Sequence, residues 1–163
     1  MKVTLTEEEL SSPELSWLCI KPMLLEVRAK DVETTLAMYR QLTEGQQALY
    51  LFYAFHNHVN SIEEFYGYSV YYVNELKSWD GMKKGVRYFR DVEMAELLER
   101  IEALVARWTS ADGTQAVPLT DLANNEALFR EANALFEEYK TQSVRTIARM
   151  NQWIMERKEQ FIE

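Results

Sequence analysis

Apolar residues recur at steps of three and four along three long stretches of the chain, a spacing that places them on one face of an α-helix. Glycine and proline, with five and three copies in 163 residues, lie mostly between these stretches. This distribution favours helices over a sheet, whose turns need frequent glycine and proline. In the central stretch the repeat runs through Ala48, Phe52, Phe55, Val59, Ile62, Tyr66, Val70 and Val73.

The periodicity predicts an all-α protein, built as a helical bundle of about five to six helices. A central, aromatic-rich helix is expected at about residues 44–78, and a long C-terminal helix at about residues 125–161. Between the later helices a loop is expected at residues 110–120, because a D-G turn and a proline lie within SADGTQAVPLT.

Short polar residues mark where the helices should start. Thr43 and Gln46 have the spacing of a capping box, in which each side chain bonds the other residue's backbone amide. Asp31 and Asp91 each precede an apolar repeat and are predicted N-caps. Residues 79–81, Trp-Asp-Gly, are predicted to end the central helix with a turn.

Composition limits the class of protein. A chain of this length fits one domain, residues 1–163, and residues 1–12 are expected to form an irregular N-terminal arm. Cys19 is the only cysteine, so an internal disulfide is impossible and a cytoplasmic location is expected. We expect no signal peptide, because the opening MKVTLTEEELSSPEL has no apolar run after its lysine, and no membrane helix, because no stretch has ~18 uncharged apolar residues. A net charge of −8 argues against direct nucleic-acid binding, which depends on lysine and arginine.

Both histidines lie in the central stretch, which raises the question of a chemical site there. On a continuous helix His56 and His58 point about 160° apart and cannot share one ligand. The residues three positions before them are Tyr53 and Phe55, so the Glu-x-x-His pattern of di-iron bundles is absent. No metal or cofactor is therefore predicted, and the imidazoles are expected to be hydrogen-bonded in or beside the core.

His56 shares a helical flank with other polar positions, Asn60 and Glu63, and with Gly67 one turn further on. One interpretation is a buried hydrogen-bond network where another helix packs closely against Gly67. The alternative is a small-molecule-binding or hydrolytic site in which His56 and Glu63 act as acid and base. We favour packing, and no catalytic residue is predicted, since the sequence motifs of nucleophilic and phosphate-binding sites are also absent.

Four tyrosines of the central stretch point to a less apolar face of the predicted helix: Tyr50, Tyr53, Tyr68 and Tyr71. Other helices of the chain can cover this face. If the rings stay exposed, they form an aromatic interaction surface of the kind enriched at protein interfaces.

One segment, LTEGQQALYLFYAFHNHVN at residues 42–60, resembles the opening of an all-helical family of uncharacterised bacterial proteins that includes a DNA-mimic protein. A second segment, GVRYFRDVEMAELLERIEALV, resembles the helix pair that follows in the family, so the resemblance covers about residues 40–105. It implies a bacterial, all-helical protein that binds other proteins, as the DNA mimic binds a transcription regulator through acidic residues. The matching positions are Leu42, Thr43, Gly45, Gln46, Val59 and Asn60.

The chain departs from the family pattern at residues 61–64. The family has Asn-Gly-Gly-Phe where this chain has Ser-Ile-Glu-Glu, so the helix is expected to continue there instead of breaking at glycines. An acidic position of the family is His58 in this chain. DNA mimicry needs dense acidic charge, and 18 interspersed basic residues argue against it.

Together these features predict a non-catalytic, cytoplasmic helical protein that acts through protein–protein interaction. The partner is expected to be another protein, or a second copy of the chain in a homodimer. A regulator-binding role and a toxin-neutralising role both fit this description.

Overall fold

A computed structural model of the protein describes residues 1–108 and 119–163. These residues are all-α, as predicted, with one isolated parallel β-bridge between Val3 and Ile162. Within the described ranges there are nine α-helices, so the expected number of five to six is wrong. The helices are α1 (Glu7–Leu10), α2 (Leu15–Glu26), α3 (Val32–Tyr39), α4 (Glu44–His56), α5 (Ile62–Val70), α6 (Trp79–Tyr88), α7 (Val92–Trp108), α8 (Leu119–Asn124) and α9 (Glu126–Glu156).

The single central helix predicted at residues 44–78 is wrong, because α4 ends at His56 and α5 begins at Ile62. Ser61 caps α5: its Oγ accepts a hydrogen bond from the Glu64 amide at 3.1 Å. The Glu64 carboxylate accepts one from the Asn60 amide at 2.8 Å. Serine followed three residues later by glutamate is a helix-start signal. It outweighs the apolar repeat that continues across residues 57–61, the linker between α4 and α5.

After α5 the chain makes a five-residue π-helical turn, Tyr71–Glu75, in which the Leu76 amide donates to the Tyr71 carbonyl at 3.0 Å. Trp79 then opens α6, so the predicted turn at residues 79–81 is wrong. The buried Trp79 indole donates from Nε1 to the Leu98 carbonyl on α7 at 2.9 Å. This contact fixes the start of α6 against α7.

The helix starts predicted at Asp31 and Thr43 are confirmed. Asp31 caps α3, and Thr43 forms the expected capping box with Gln46 at the start of α4. The predicted C-terminal helix is α9, which ends at Glu156 and is followed by a short 3₁₀ turn, Lys158–Gln160. The loop predicted at residues 110–120 lies, up to residue 118, outside the described residues.

The core forms where α4 packs against α2 and α6, and where α7 packs against α6 and α9. α4 and α6 pack closely: a Cβ added at Gly85 would lie 3.0 Å from the Ala48 Cα. No helix among residues 1–108 and 119–163 has both the length and the apolar character needed to cross a membrane.

One polar cluster lies inside this core, around the fully buried Asp91. As predicted, Asp91 caps α7, accepting a hydrogen bond from the Met94 amide at 3.0 Å. It also accepts hydrogen bonds from two side chains of α9, Thr146 Oγ1 at 2.7 Å and Gln142 Nε2 at 3.3 Å. The same carboxylate therefore starts one helix and holds a second helix against it.

The first twelve residues are tied to the other end of the chain. The Val3 amide donates to the Phe161 carbonyl at 3.1 Å, and the Glu163 amide donates to the Val3 carbonyl at 3.0 Å. α1 follows with its own capping box, formed by Thr6 and Glu9. Residues 1–12 thus include a short helix and a buried contact through Val3.

Candidate functional site

His56, the last residue of α4, contacts α9. Its Nδ1 lies 3.1 Å from Tyr139 Oη, and its ring stacks on Phe52 with centroids 5.2 Å apart. Burial lowers the pKa of His56 below the ordinary value of 6.5, because the protein interior disfavours the charged imidazolium. Tyr139 is itself buried. The neutral imidazole therefore serves as a polar packing contact between two helices.

The polar row predicted to follow His56 does not form on one helix face, because α4 ends at that residue. Asn60 lies exposed in the linker, where its Nδ2 donates to the Asn57 carbonyl at 3.4 Å. Glu63 is exposed in the first turn of α5, and Gly67 is half-buried further along the same helix. The geometry that motivated an acid–base pair of His56 and Glu63 is absent.

His58 has a separate environment from His56. It is exposed in the linker and stacks on Tyr68, with ring centroids 4.6 Å apart and an interplanar angle of 15°. The two imidazoles thus contact different partners. Across the described part of the chain, no group of three or more His, Cys, Asp and Glu side chains is placed to hold a metal ion.

Three of the four tyrosines singled out from the sequence lie together. The rings of Tyr71 and Tyr72 are in contact, and Tyr68 precedes Tyr72 by four residues, about one turn. Burial raises the pKa of Tyr72, and the phenols of Tyr50, Tyr71 and Tyr68 raise it further. Tyr39 extends the group from α3, because its ring packs edge-on against Tyr50 with centroids 5.5 Å apart. We call this group the tyrosine surface; it consists of Tyr39, Tyr50, Tyr68, Tyr71 and Tyr72.

The tyrosine surface has a buried base and exposed edges. Tyr72 is 7% exposed and supports Tyr71, which is 38% exposed; their ring centroids are 5.9 Å apart. Tyr39, Tyr50 and Tyr68 are half-buried. Tyr71 and Tyr72 both belong to the π-helical turn, a backbone geometry found frequently at functional sites. The result is a set of supported aromatic rings that solvent still reaches.

Tyr53 does not belong to this surface, although the sequence grouped it there. It is 3% exposed, its Oη lies 2.7 Å from Ser16 Oγ, and its ring contacts Trp17 with centroids 5.3 Å apart. Burial raises the pKa of Tyr53 to about 12. Its place in α4 turns it toward α2, so it is a core residue.

The tyrosine surface is flanked by carboxylates. Glu64, Tyr68 and Tyr71 follow one another at steps of four and three, which places them along one side of α5 and the π-helical turn. Glu75, at the end of that turn, is exposed. Neither Glu64 nor Glu75 forms a salt bridge within residues 1–108 and 119–163. The surface therefore combines aromatic rings with unneutralised negative charge.

Two members of the tyrosine surface were missed in the sequence. Tyr72 follows Tyr68 by four residues, and this spacing was a usable sign that they share a side of a helix. Tyr39 had no such sign, because it lies on α3 and meets Tyr50 of α4 through the turn between the two helices.

No family model, curated protein or solved structure matches this chain. The resemblance over about residues 40–105 therefore remains a prediction. The fold and the site define an all-α protein with a partly exposed, acid-flanked tyrosine surface.

Proposed function

We propose that the protein is non-catalytic and acts by binding a different protein through the tyrosine surface. The observation that supports this most directly is the partial exposure of Tyr71 on top of the buried Tyr72. Tyrosine gives a large contact area with little loss of side-chain entropy, and it is enriched among the residues that dominate binding energy at interfaces. Because the Tyr71 ring packs on Tyr72, it is already close to the conformation that a partner needs.

The alternative, a small-molecule-binding or hydrolytic site at His56, Asn60 and Glu63, has less support. His56 bonds Tyr139 at 3.1 Å, whereas Asn60 and Glu63 are exposed on the linker and on α5. A general base and a general acid must both reach the reacting atoms of the same substrate. These three side chains belong to different structural elements and share no hydrogen bond with one another in the described residues.

The proposed binding role includes the regulator-binding and toxin-neutralising types, since both need an exposed surface that recognises another protein. We place it in the bacterial cytoplasm. The resemblance over about residues 40–105 supports a bacterial source, and Cys19, a free and buried thiol, suits a reducing compartment.

Site-specific photo-crosslinking tests the proposal. The crosslinking amino acid p-benzoylphenylalanine replaces Tyr71 in one variant and Val144 in a matched control, which is 69% exposed on α9. Both variants are expressed in the native host and irradiated. We expect a discrete adduct with another protein from position 71 and none from position 144.

Tyr68→Ala, added to the variant with the crosslinker at position 71, should remove that adduct without changing the helical circular dichroism spectrum. Adducts of equal yield from both positions, or none from position 71, would contradict the proposal. An adduct of twice the chain's mass, together with a dimer in sedimentation velocity, would show that the partner is a second copy of the chain and not a different protein.

A further inference from the structure

The charge around the tyrosine surface differs from the charge elsewhere on the molecule. Between Arg40 and Lys77 the sequence contains neither lysine nor arginine. This range includes α4, α5 and the π-helical turn, which together carry four members of the tyrosine surface. Elsewhere, many carboxylates have a cation beside them; examples are the ion pairs Arg87–Glu99, Arg100–Glu138, Arg107–Glu131 and Lys83–Glu102.

The acids beside the tyrosines lack such partners. Glu63, Glu64 and Glu75 are exposed, and none of them forms an ion pair in the residues that the structure describes. The Glu64 carboxylate is also held in place, because it accepts the Asn60 amide at 2.8 Å. A fixed carboxylate retains free lone pairs on the side facing solvent.

The rings of Tyr68 and Tyr71 each follow or precede one of these acids by four residues, the spacing of neighbours along a helix. Tyr68 stacks on His58 with centroids 4.6 Å apart, and Tyr71 rests on Tyr72. A cation placed over a tyrosine face is attracted by the electron-rich ring, and the attraction adds to that of a nearby carboxylate. Arginine can use both at once, since its planar guanidinium stacks on a ring while its edge donates hydrogen bonds.

We propose that the tyrosine surface docks a basic segment of the partner protein, with an arginine stacked on Tyr68 or Tyr71 and bonded to Glu64 or Glu75. This inference rests on the proposed function and specifies the chemistry of the partner. The charge complementarity is confined to the side of the surface that carries Tyr68 and Tyr71, where Glu64 and Glu75 form no ion pair within the described residues. Beside Tyr39, by contrast, Lys84 pairs with Glu44 at 3.4 Å. The partner therefore supplies the cation at Tyr68 and Tyr71.

Nuclear magnetic resonance titration tests the inference with two defined probes, acetyl-Gly-Arg-Gly-Arg-Gly-amide and the same peptide with lysine in place of arginine. We expect the arginine peptide to shift signals of Tyr68, Tyr71 and Glu75. We expect it to bind more tightly than the lysine peptide by up to about fivefold, the full value of a cation–π contact at an exposed site, because only the planar guanidinium can stack on the ring and donate hydrogen bonds at once.

Two substitutions locate the effect. Tyr71→Leu keeps an apolar side chain on Tyr72 and should remove most of the arginine preference, and Glu75→Gln should weaken binding of both peptides. The control substitution is Glu8→Gln, which removes one of the three acids in the first turn of α1. It should change neither affinity, because α1 contributes no member of the tyrosine surface.

Equal affinities for the two peptides, or signal shifts centred on α1, would overturn the inference by showing only general attraction to an acidic protein. Its failure is distinguishable from failure of the proposed function. A crosslinked partner at position 71 without arginine preference refutes only the basic segment, whereas loss of the position-71 adduct refutes the binding surface itself.

Discussion

Replacing Asp91 with alanine should destabilise the protein by about 3 kcal/mol. Asp91 is fully buried and accepts hydrogen bonds from the Met94 amide, Thr146 and Gln142. Loss of the helix cap costs about 1 kcal/mol. Leaving the Gln142 amide buried without its acceptor adds roughly 1–3 kcal/mol. Thr146 adds less, because its hydroxyl also lies 3.0 Å from the Gln142 carbonyl and can donate there.

Asp91→Asn separates the hydrogen bonds from the charge. The asparagine Oδ1 can accept from the Met94 amide and from Gln142, while its Nδ2 can donate to Thr146 Oγ1. Asparagine is also as good an N-cap as aspartate. We therefore expect this variant to lie within about 1 kcal/mol of the natural protein, well above the alanine variant in stability.

Urea unfolding followed by far-UV circular dichroism measures these differences, provided that the dependence on urea stays the same among variants. The control is Asp80→Ala, which removes an aspartate whose side chain is 88% exposed and pairs with Lys83. That change should alter stability by less than about 1 kcal/mol. Equal losses from Asp91→Ala and Asp91→Asn, or a loss below about 1 kcal/mol for alanine, would refute the reasoning.

Three further predictions concern the cap of α5, His56 and Cys19. Ser61→Ala should cost about 1 kcal/mol in urea unfolding, because the cap of α5 is lost, whereas Ser11→Ala at the exposed end of α1 should be nearly neutral. Burial lowers the pKa of His56. The free energy of unfolding should therefore fall as pH drops below about 6.5, because the unfolded chain binds a proton before the folded one does. A His56→Gln variant whose free energy of unfolding kept the same dependence on pH between about pH 7 and 5 would contradict this. Burial raises the pKa of Cys19 to about 12, so Ellman's reagent should label the unfolded but not the folded protein at neutral pH, and prompt stoichiometric labelling of the folded protein would be evidence against it.

Three helix starts were predicted correctly because their signals are local. Asp31, Thr43 and Asp91 each bond an amide three residues ahead, so the relevant partners are visible in a short window of sequence. Ser61 carries a signal of the same kind, but the apolar repeat across residues 57–61 predicted an uninterrupted helix. The error shows that a cap outweighs periodicity when both occur in one segment.

The candidate site was predictable only in part. Tyr50, Tyr68 and Tyr71 were identified from their spacing and lie in the tyrosine surface. Tyr53 was grouped with them on a helical wheel, but α2 covers that side of α4, and its Oη bonds Ser16. Which side of a helix is covered depends on where its neighbours pack, and the spacing of apolar residues does not report that.

By itself the sequence determined the all-α class and the starts of α3, α4 and α7, because helix periodicity and caps involve residues within a few positions of each other. Only the tertiary structure decided that Asp91 bonds Gln142 and Thr146, and that Tyr39 and Tyr72 complete one surface. Those contacts join separate helices, and they exist only after the helices have packed.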